Sequence, residues 1–523
     1  MNVRLLALLG AVALLFFVGL GRPTLFDQDE AKYTQVAREI LETGDPITLH
    51  VNGAPWFVHP PLYMWLVAAT GRIFGFTEFT ARLWSAVAGV AGVYATYLLG
   101  GLLFPRRAAL LGAAVLAGTF QYFAHARLAV FDGLLVTFML LTFYAFLRAL
   151  YDVSRAHAYY AAVWAGLGTL TKGPIALLLP ALVALVYLII RWKRFRWRAP
   201  ILGPAAVYAA IAMPWYIIEA VRHGAPFIST VIGYYTVNRF LGVVEGQSGP
   251  WWYYAPVFGV GAFPWTAFVL AMLPHHVRRL REEGSLLVLL WMAITIVFYS
   301  VAGTKLPNYV LPVYPWAALG IAAMWHAAFD GERGAAIRIR AAFVGTAVAL
   351  LIFAGEIAAF ARLKYPAALA ALQGHLIIVA IVLGAWVLAA AGLYLLRRPV
   401  SSFVMLAATM WVFGGILVFG TLPMIDARRP IKEVAAAVRA RLTPETPLVG
   451  YRISSYQTLL FYTNHRVDWV DDARMLRQMR CSHPRMIIVT EPEEMGELQQ
   501  FPATRLITTE DLVAVEVRNT SCP

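Results

Sequence analysis

Long apolar windows separated by short polar connections run along most of this chain, and a helix needs roughly 17–25 such residues to cross a bilayer. Windows of that kind lie near 3–21, 83–104, 108–125, 132–151, 157–171, 173–190, 200–219, 251–273, 284–303, 307–328, 341–361, 375–396 and 401–422. They predict a mainly α, polytopic membrane protein with about thirteen spans. The first window has one Arg at its start, Arg4, and no small-residue cleavage site behind it, so it reads as an uncleaved span and not as a signal peptide. Two shorter stretches carry helical periodicity without spanning length. Asp29–Thr43 places apolar or aromatic residues at Tyr33, Val36, Ala37, Ile40 and Leu41, and Leu62–Phe74 has a similar mix. Both read as helices lying in the membrane interface. Gly44, Asp45-Pro46 and Asn52-Gly53 supply turns between them, and Pro60-Pro61 opens the second.

After Thr421 the texture changes. Ile431–Leu442 has a helical pattern, while Pro447–Tyr451, Met486–Val489 and Leu512–Val517 read as strands. The expected organisation is therefore a transmembrane domain, 1–425, followed by a small soluble α/β domain, 426–523.

Composition agrees with this reading: 60% of the 523 residues are hydrophobic and 14% charged, far from a soluble globular balance. A net charge of +14 raises the question of nucleic acid. Residues 426–523 hold 13 Lys+Arg against 13 Asp+Glu, so the whole excess belongs to the first 425 residues. Much of it lies in short connections: Pro105-Arg106-Arg107, Arg191–Arg198, His275–Arg281, Arg333–Arg340 and Arg397-Arg398. With a cytoplasmic N-terminus all five fall on the cytoplasmic side, a self-consistent positive-inside pattern, and nucleic acid is excluded as a partner. Asp29, Asp132, Lys172, Arg239, Lys305 and the periplasmic C-terminal domain then share the exoplasmic side. Cys481 and Cys522 both fall in that domain, and the sequence leaves open whether they form a disulfide or two separate thiols.

Five polar stretches share the exoplasmic face: DQDEAKY (27–33), WFVHPPL (56–62), RLAVFD (127–132), YYTVNRF (234–240) and KLPNY (305–309). Taken singly, each has an ordinary explanation. Acids cap helix N-termini, and basic side chains at a membrane edge snorkel to headgroups. Together, acids and bases from separate loops suit a phosphate-bearing lipid and a nucleophile needing a base.

In these same stretches the chain resembles the GT-C glycosyltransferases of the protein O-mannosyltransferase and aminoarabinose (lipid A) transferase type. DEAKY (29–33) followed by AREILETGD (37–45) is similar to the family's first-loop motif, and WFVHPPLYMWL (56–66) to its Pro-Pro segment. TKGP (171–174), PWWYYAPVFGVGAFPW (250–265) and KLPNYVLPVYP (305–315) match later segments in consistent order.

The resemblance implies transfer of a sugar, with inversion, from a polyprenyl-phosphate donor to an exoplasmic glycolipid or protein acceptor. It implies Asp29 as general base and Asp132 as a second acidic site. Lys32, His59, Arg239, Lys305, Tyr309 and Lys172 are the implied donor-phosphate ligands, with Glu30, Tyr33 and Trp56 at the rim. One departure bears on cofactors: where the aminoarabinose branch has a Glu and a His able to hold a metal, this chain has Val58 and Thr236. No metal is assigned, and a divalent ion elsewhere stays a separate hypothesis. The other classes weighed are a polyprenyl-lipid transporter or flippase, for which no paired halves are visible, and a non-catalytic lipid receptor, which would not need Asp29.

Overall fold

The computed structural model describes residues 3–152, 154–194, 197–364, 366–454, 456–498 and 501–518. Each apolar window is helical over most of its length. In chain order the first helices are α1 (Val3–Phe17), α2 (Asp29–Thr43), α3 (Leu62–Phe74), α4 (Glu78–Leu103), α5 (Arg106–Ala117), α6 (Phe120–His125), α7 (Asp132–Tyr151), α8 (Arg155–Lys172), α9 (Ile175–Ile190) and α10 (Leu202–His223). The two interfacial helices have the bounds that periodicity predicts. Among the described residues, six helices are long and apolar enough to cross a membrane, or seven counting one bent pair. That pair, Tyr254–Gly261 and Thr266–Val277, bends by 107° within the 251–273 window. The 108–125 window is likewise split, into α5 and α6.

Contacts divide the chain into two compact units. The first comprises Met1–Val18, Phe57–Tyr63 and Leu83–Leu417; the second comprises Gly19–Trp56, Met64–Arg82 and Val418–Pro523. The second unit therefore joins the first polar loop to the C-terminal α/β segment. A short antiparallel hairpin, β1 (His50–Val51) and β2 (Ala54–Pro55), turns at Asn52-Gly53. Both turn residues have positive φ, 55° and 76°, the combination a tight two-residue hairpin requires.

The C-terminal sheet consists of β3 (Leu448–Tyr451), β4 (Val467–Val470), β5 (Arg485–Thr490), β6 (Ala503–Thr508) and β7 (Val513–Arg518), in the order β4-β3-β5-β7-β6. β4, β3 and β5 are parallel, and β7 and β6 complete the sheet antiparallel. Strands β4 and β6 were absent from the sequence expectation. β6 has all six of its residues partly or fully exposed at the sheet edge and so lacks a buried apolar run. Both faces of β5 are covered. Ile487 and Val489 pack with Val434, Val438 and Leu459, whereas Met486 and Ile488 pack with Leu476 and Leu498. This is the alternation a strand buried on both faces must show. Cys481 is disulfide-bonded; Cys522, the chain's other cysteine, lies outside the described residues.

Candidate active site

The first polar loop presents six acids within one unit, Asp27, Asp29, Glu30, Glu39, Glu42 and Asp45, and their surroundings sort them. Glu30 is 3% exposed and lies in a fork with Arg82, Nε donating to Oε1 and Nη2 to Oε2, both at 2.8 Å. Arg82 spends its remaining donors on the carbonyls of Leu20, Pro23 and Thr24, so all five guanidinium N–H groups are engaged. Glu30 Oε2 also accepts from the Phe26 N–H at 2.8 Å. This clamp fixes the turn that leads into α2. Glu30, expected at the rim of the site, is thus a buried structural acid, because a carboxylate in that position needs the guanidinium to offset its lost hydration.

Asp27 accepts from both the N–H and the hydroxyl of Thr458. It caps the first turn of the Tyr456–Thr463 helix and not the helix that follows it in sequence. Glu39, 5% exposed, receives the N–H groups of Asn52 and Gly53 at 2.7 and 2.9 Å. Asp29 differs. It is exposed, it is the first residue of α2, and its carboxylate has no hydrogen bond or ion pair among the described residues. The capping expected of acids here does not occur: the N-cap is Gln28, held at φ 64°, with no side-chain bond to the helix. Lys32 is half-buried, and no described group holds its ammonium. Tyr33 and Trp56 are buried and pack with ring centroids 6.0 Å apart.

In the first unit the second acid has the opposite surroundings. Asp132, 5% exposed at the start of α7, accepts from the Lys172 ammonium at the end of α8 and from Asn308 Nδ2 at 3.0 Å. Lys172 lies 5.3 Å from the centroid of the Phe131 ring and 5.4 Å from that of Tyr309. The His59 ring meets Phe131 edge-on, centroids 4.7 Å apart. Residues from four separate expected motifs, His59, Asp132, Lys172 and Tyr309, thus belong to one connected cluster. Asn308 joins it although sequence reasoning passed over it.

Arg239 donates to Gln247 Oε1 at 2.9 Å, lies 3.7 Å from Glu245 and keeps its Nε buried without a partner. Lys305 follows a different course from the expected phosphate ligand. Its ammonium donates to the carbonyls of Tyr299, Ser300 and Ala302, and it is 5% exposed. All three N–H donors are used in capping the C-terminus of the Glu283–Val301 helix, the end where a cation is favoured. Burial lowers its pKa below that of an ordinary lysine. Arg127 does the same for α1, bonding the carbonyls of Leu15, Phe16 and Val18.

Sequence reasoning missed Arg82, although the signal was present: an arginine in the first turns of a long apolar helix is costly unless paired. No group of three or more metal-ligating side chains occurs among the described residues. Thr236 donates to the Val231 carbonyl, and Val58 has no ligating atom. The residues at those two positions do not fit a metal.

Two comparisons define the class. Residues 58–218 match the sequence pattern of the dolichyl-phosphate-mannose-protein mannosyltransferase family. The fold superimposes on ArnT from Cupriavidus metallidurans, solved with undecaprenyl phosphate, with a TM-score of 0.82 at 23% identity and 99% coverage of both chains. The fold is that of a multi-pass membrane protein of the GT-C type.

The family follows from closer relatives. Over 421 residues the chain is 31% identical to the undecaprenyl phosphate-alpha-4-amino-4-deoxy-L-arabinose arabinosyl transferase of Pseudomonas aeruginosa strain LESB58, covering 78% of this chain and 74% of the relative. The enzyme of the same name from Pseudomonas savastanoi pv. phaseolicola is 30% identical over 417 residues, 77% of this chain and 75% of that one. The chain belongs to this family of polyprenyl-phosphate-sugar-dependent transferases.

Proposed function

We propose that the chain transfers a pentose or hexose from undecaprenyl phosphate to a hydroxyl of an exoplasmic glycolipid, with inversion and with Asp29 as the general base. One observation carries this reading: of the six acids in the first loop, Asp29 and Glu42 are exposed, and only Asp29 among them is uncommitted, since Asn464, Arg38 and Arg466 act on the Glu42 carboxylate and Asp45 accepts from the Ile47 and Thr48 N–H groups. A carboxylate free of internal donors can accept the hydrogen bond of an incoming hydroxyl. As that oxygen attacks the anomeric carbon, its proton passes to Asp29, the new C–O bond forms, and the bond to the lipid phosphate breaks with the electron pair leaving on phosphate. A positioned base of this kind contributes roughly 10²–10⁴-fold.

The departing phosphate needs cationic donors aimed at it. Arg239, with an unpaired buried Nε, and His59 are the groups proposed for it, and Lys32 stays a candidate cation. Lys172 is assigned to holding Asp132, and Lys305 to its helix end. Asp132 orders the Lys172, Asn308 and Tyr309 cluster and takes no proton from the acceptor. The distribution of Lys and Arg supports a cytoplasmic N-terminus and an exoplasmic 426–523 segment, and the bacterial relatives support an inner-membrane setting with that segment in the periplasm.

The test uses purified full-length protein, undecaprenyl-phosphate-linked sugars (aminoarabinose and a neutral hexose in parallel) and an envelope glycolipid fraction. Release of free undecaprenyl phosphate that depends on the acceptor is expected, and its loss in Asp29→Asn with donor binding retained. Full activity in Asp29→Asn would remove the base assignment; lipid binding without release from either donor would favour a receptor.

A further inference from the structure

The second unit holds a cavity of about 640 Å³ that the reaction above does not use. It lies against the C-terminal half of α2, where Glu39 and Glu42 line it, and is completed by Arg439, Leu442, Leu460 and Arg466. The volume is in the range of roughly 300–1,000 Å³ typical of small-ligand sites.

Its polar groups fall into two sets. Glu39 is fully engaged by main-chain N–H groups and by Gln35, and Arg38 behind it is spent on Gln35, the Phe461 carbonyl and Asn464. These make a fixed wall. Arg439 and Arg466 are exposed, and neither guanidinium has a hydrogen bond or ion pair among the described residues. The Arg466 guanidinium rests on the hairpin turn, where a Cβ at Gly53 would come within 2.5 Å of its Cζ. Arg466 acts through space on the neighbouring Glu42 carboxylate, and both guanidinium forks keep N–H donors that suit phosphate or carboxylate oxygens. Glu42 beside them, already bonded to Asn464, offers its remaining carboxylate lone pairs to hydroxyl groups, and the half-buried Leu442 offers an apolar surface for the C–H face of a ring. Anion, hydroxyls and a ring face together describe an acidic sugar.

The same helix that carries Asp29 at its first residue reaches the cavity at Glu42. Thirteen residues of α-helix separate them, about 20 Å at 1.5 Å per residue. We infer that this cavity is a subsite for an anionic sugar of the acceptor glycolipid, held about 20 Å along α2 from the hydroxyl that reacts. The inference rests on the proposed glycolipid acceptor. Binding energy from such a remote part of a substrate is what a transferase can use to orient the reacting end.

Binding, measured apart from transfer, tests it. The probe is an acidic oligosaccharide released from bacterial envelope glycolipid by mild acid, titrated into the full-length protein in detergent, with a neutral oligosaccharide and inorganic phosphate as comparisons. Saturable binding of the acidic probe is expected, at least tenfold weaker in Arg439→Gln/Arg466→Gln, with an unchanged melting temperature for that variant. Phosphatase treatment or carboxyl reduction of the probe identifies the anionic group. Equal binding by wild type and variant, no binding by wild type, or equally tight binding of inorganic phosphate would overturn the subsite. Asp29→Asn separates the two proposals, since it should abolish transfer and leave oligosaccharide binding intact.

Discussion

Asp29 and Asp132 are both acids at the first residue of a helix, and they have opposite surroundings. Asp29 is exposed and holds nothing; Asp132 is 5% exposed, paired with the Lys172 ammonium and hydrogen-bonded by Asn308. The contrast teaches that an acid's role is set by its partners, not by its place in a helix. An unpaired carboxylate at the surface is available for chemistry, whereas a buried one persists only if it is paired.

The largest effect expected from this contrast is on catalysis. Asp29→Asn should lower kcat by roughly 10²–10⁴-fold with little change in melting temperature. A large loss of stability in that variant would erase the distinction between the two acids. Next comes the clamp beside Asp29: Arg82→Leu should destabilise the protein by about 3–5 kcal/mol, because Glu30 would be left buried and unpaired. Thermal or denaturant unfolding checks this, and the double variant Arg82→Leu/Glu30→Leu should recover part of the loss.

The same logic applies to Asp132. Lys172→Met should cost on the order of 3 kcal/mol, and Lys172→Met/Asp132→Asn distinctly less, a coupling that a double-mutant cycle reads directly. If Asp132→Asn alone abolishes transfer without affecting stability, Asp132 belongs with Asp29 and the comparison fails. A smaller effect is expected at Lys305. Replacing a helix-end cation by Ala should cost about 1 kcal/mol and leave the donor KM unchanged. A raised donor KM would return Lys305 to the phosphate.

The smallest concerns Glu42, whose carboxyl pKa is raised from 4.5, chiefly by burial and against the pull of Arg38. A raised folded pKa favours the fold below the unfolded value and withdraws that support as pH rises through the folded value. Glu42→Gln should therefore raise the melting temperature slightly at pH 7 and not below pH 4.5. A gain of the same size at both pH values would show that charge is not the cause.

Much of the fold was legible along the chain. The bounds of α2 and α3 follow from apolar spacing, and β3, β5 and β7 follow from short β-branched runs, since these signals are local. Strand β6 was not, because its residues are largely exposed and lack that pattern. The site was legible in part. The motifs picked out Asp29, Asp132, Lys172, His59 and Tyr309, but charge alone did not show that the Lys305 ammonium bonds main-chain carbonyls at a helix end.

The sequence by itself determined that this is a polytopic, basic-loop membrane protein with a first loop built around an acidic helix, and its motifs marked the family. Only the tertiary structure decided which charges are free. Glu30 is claimed by an arginine 52 residues away, Asp132 by a lysine 40 residues away, and Asp27 by a threonine 431 residues away. Hydration lost on burial must be replaced by whatever group the fold brings near, and that choice is not written in local spacing.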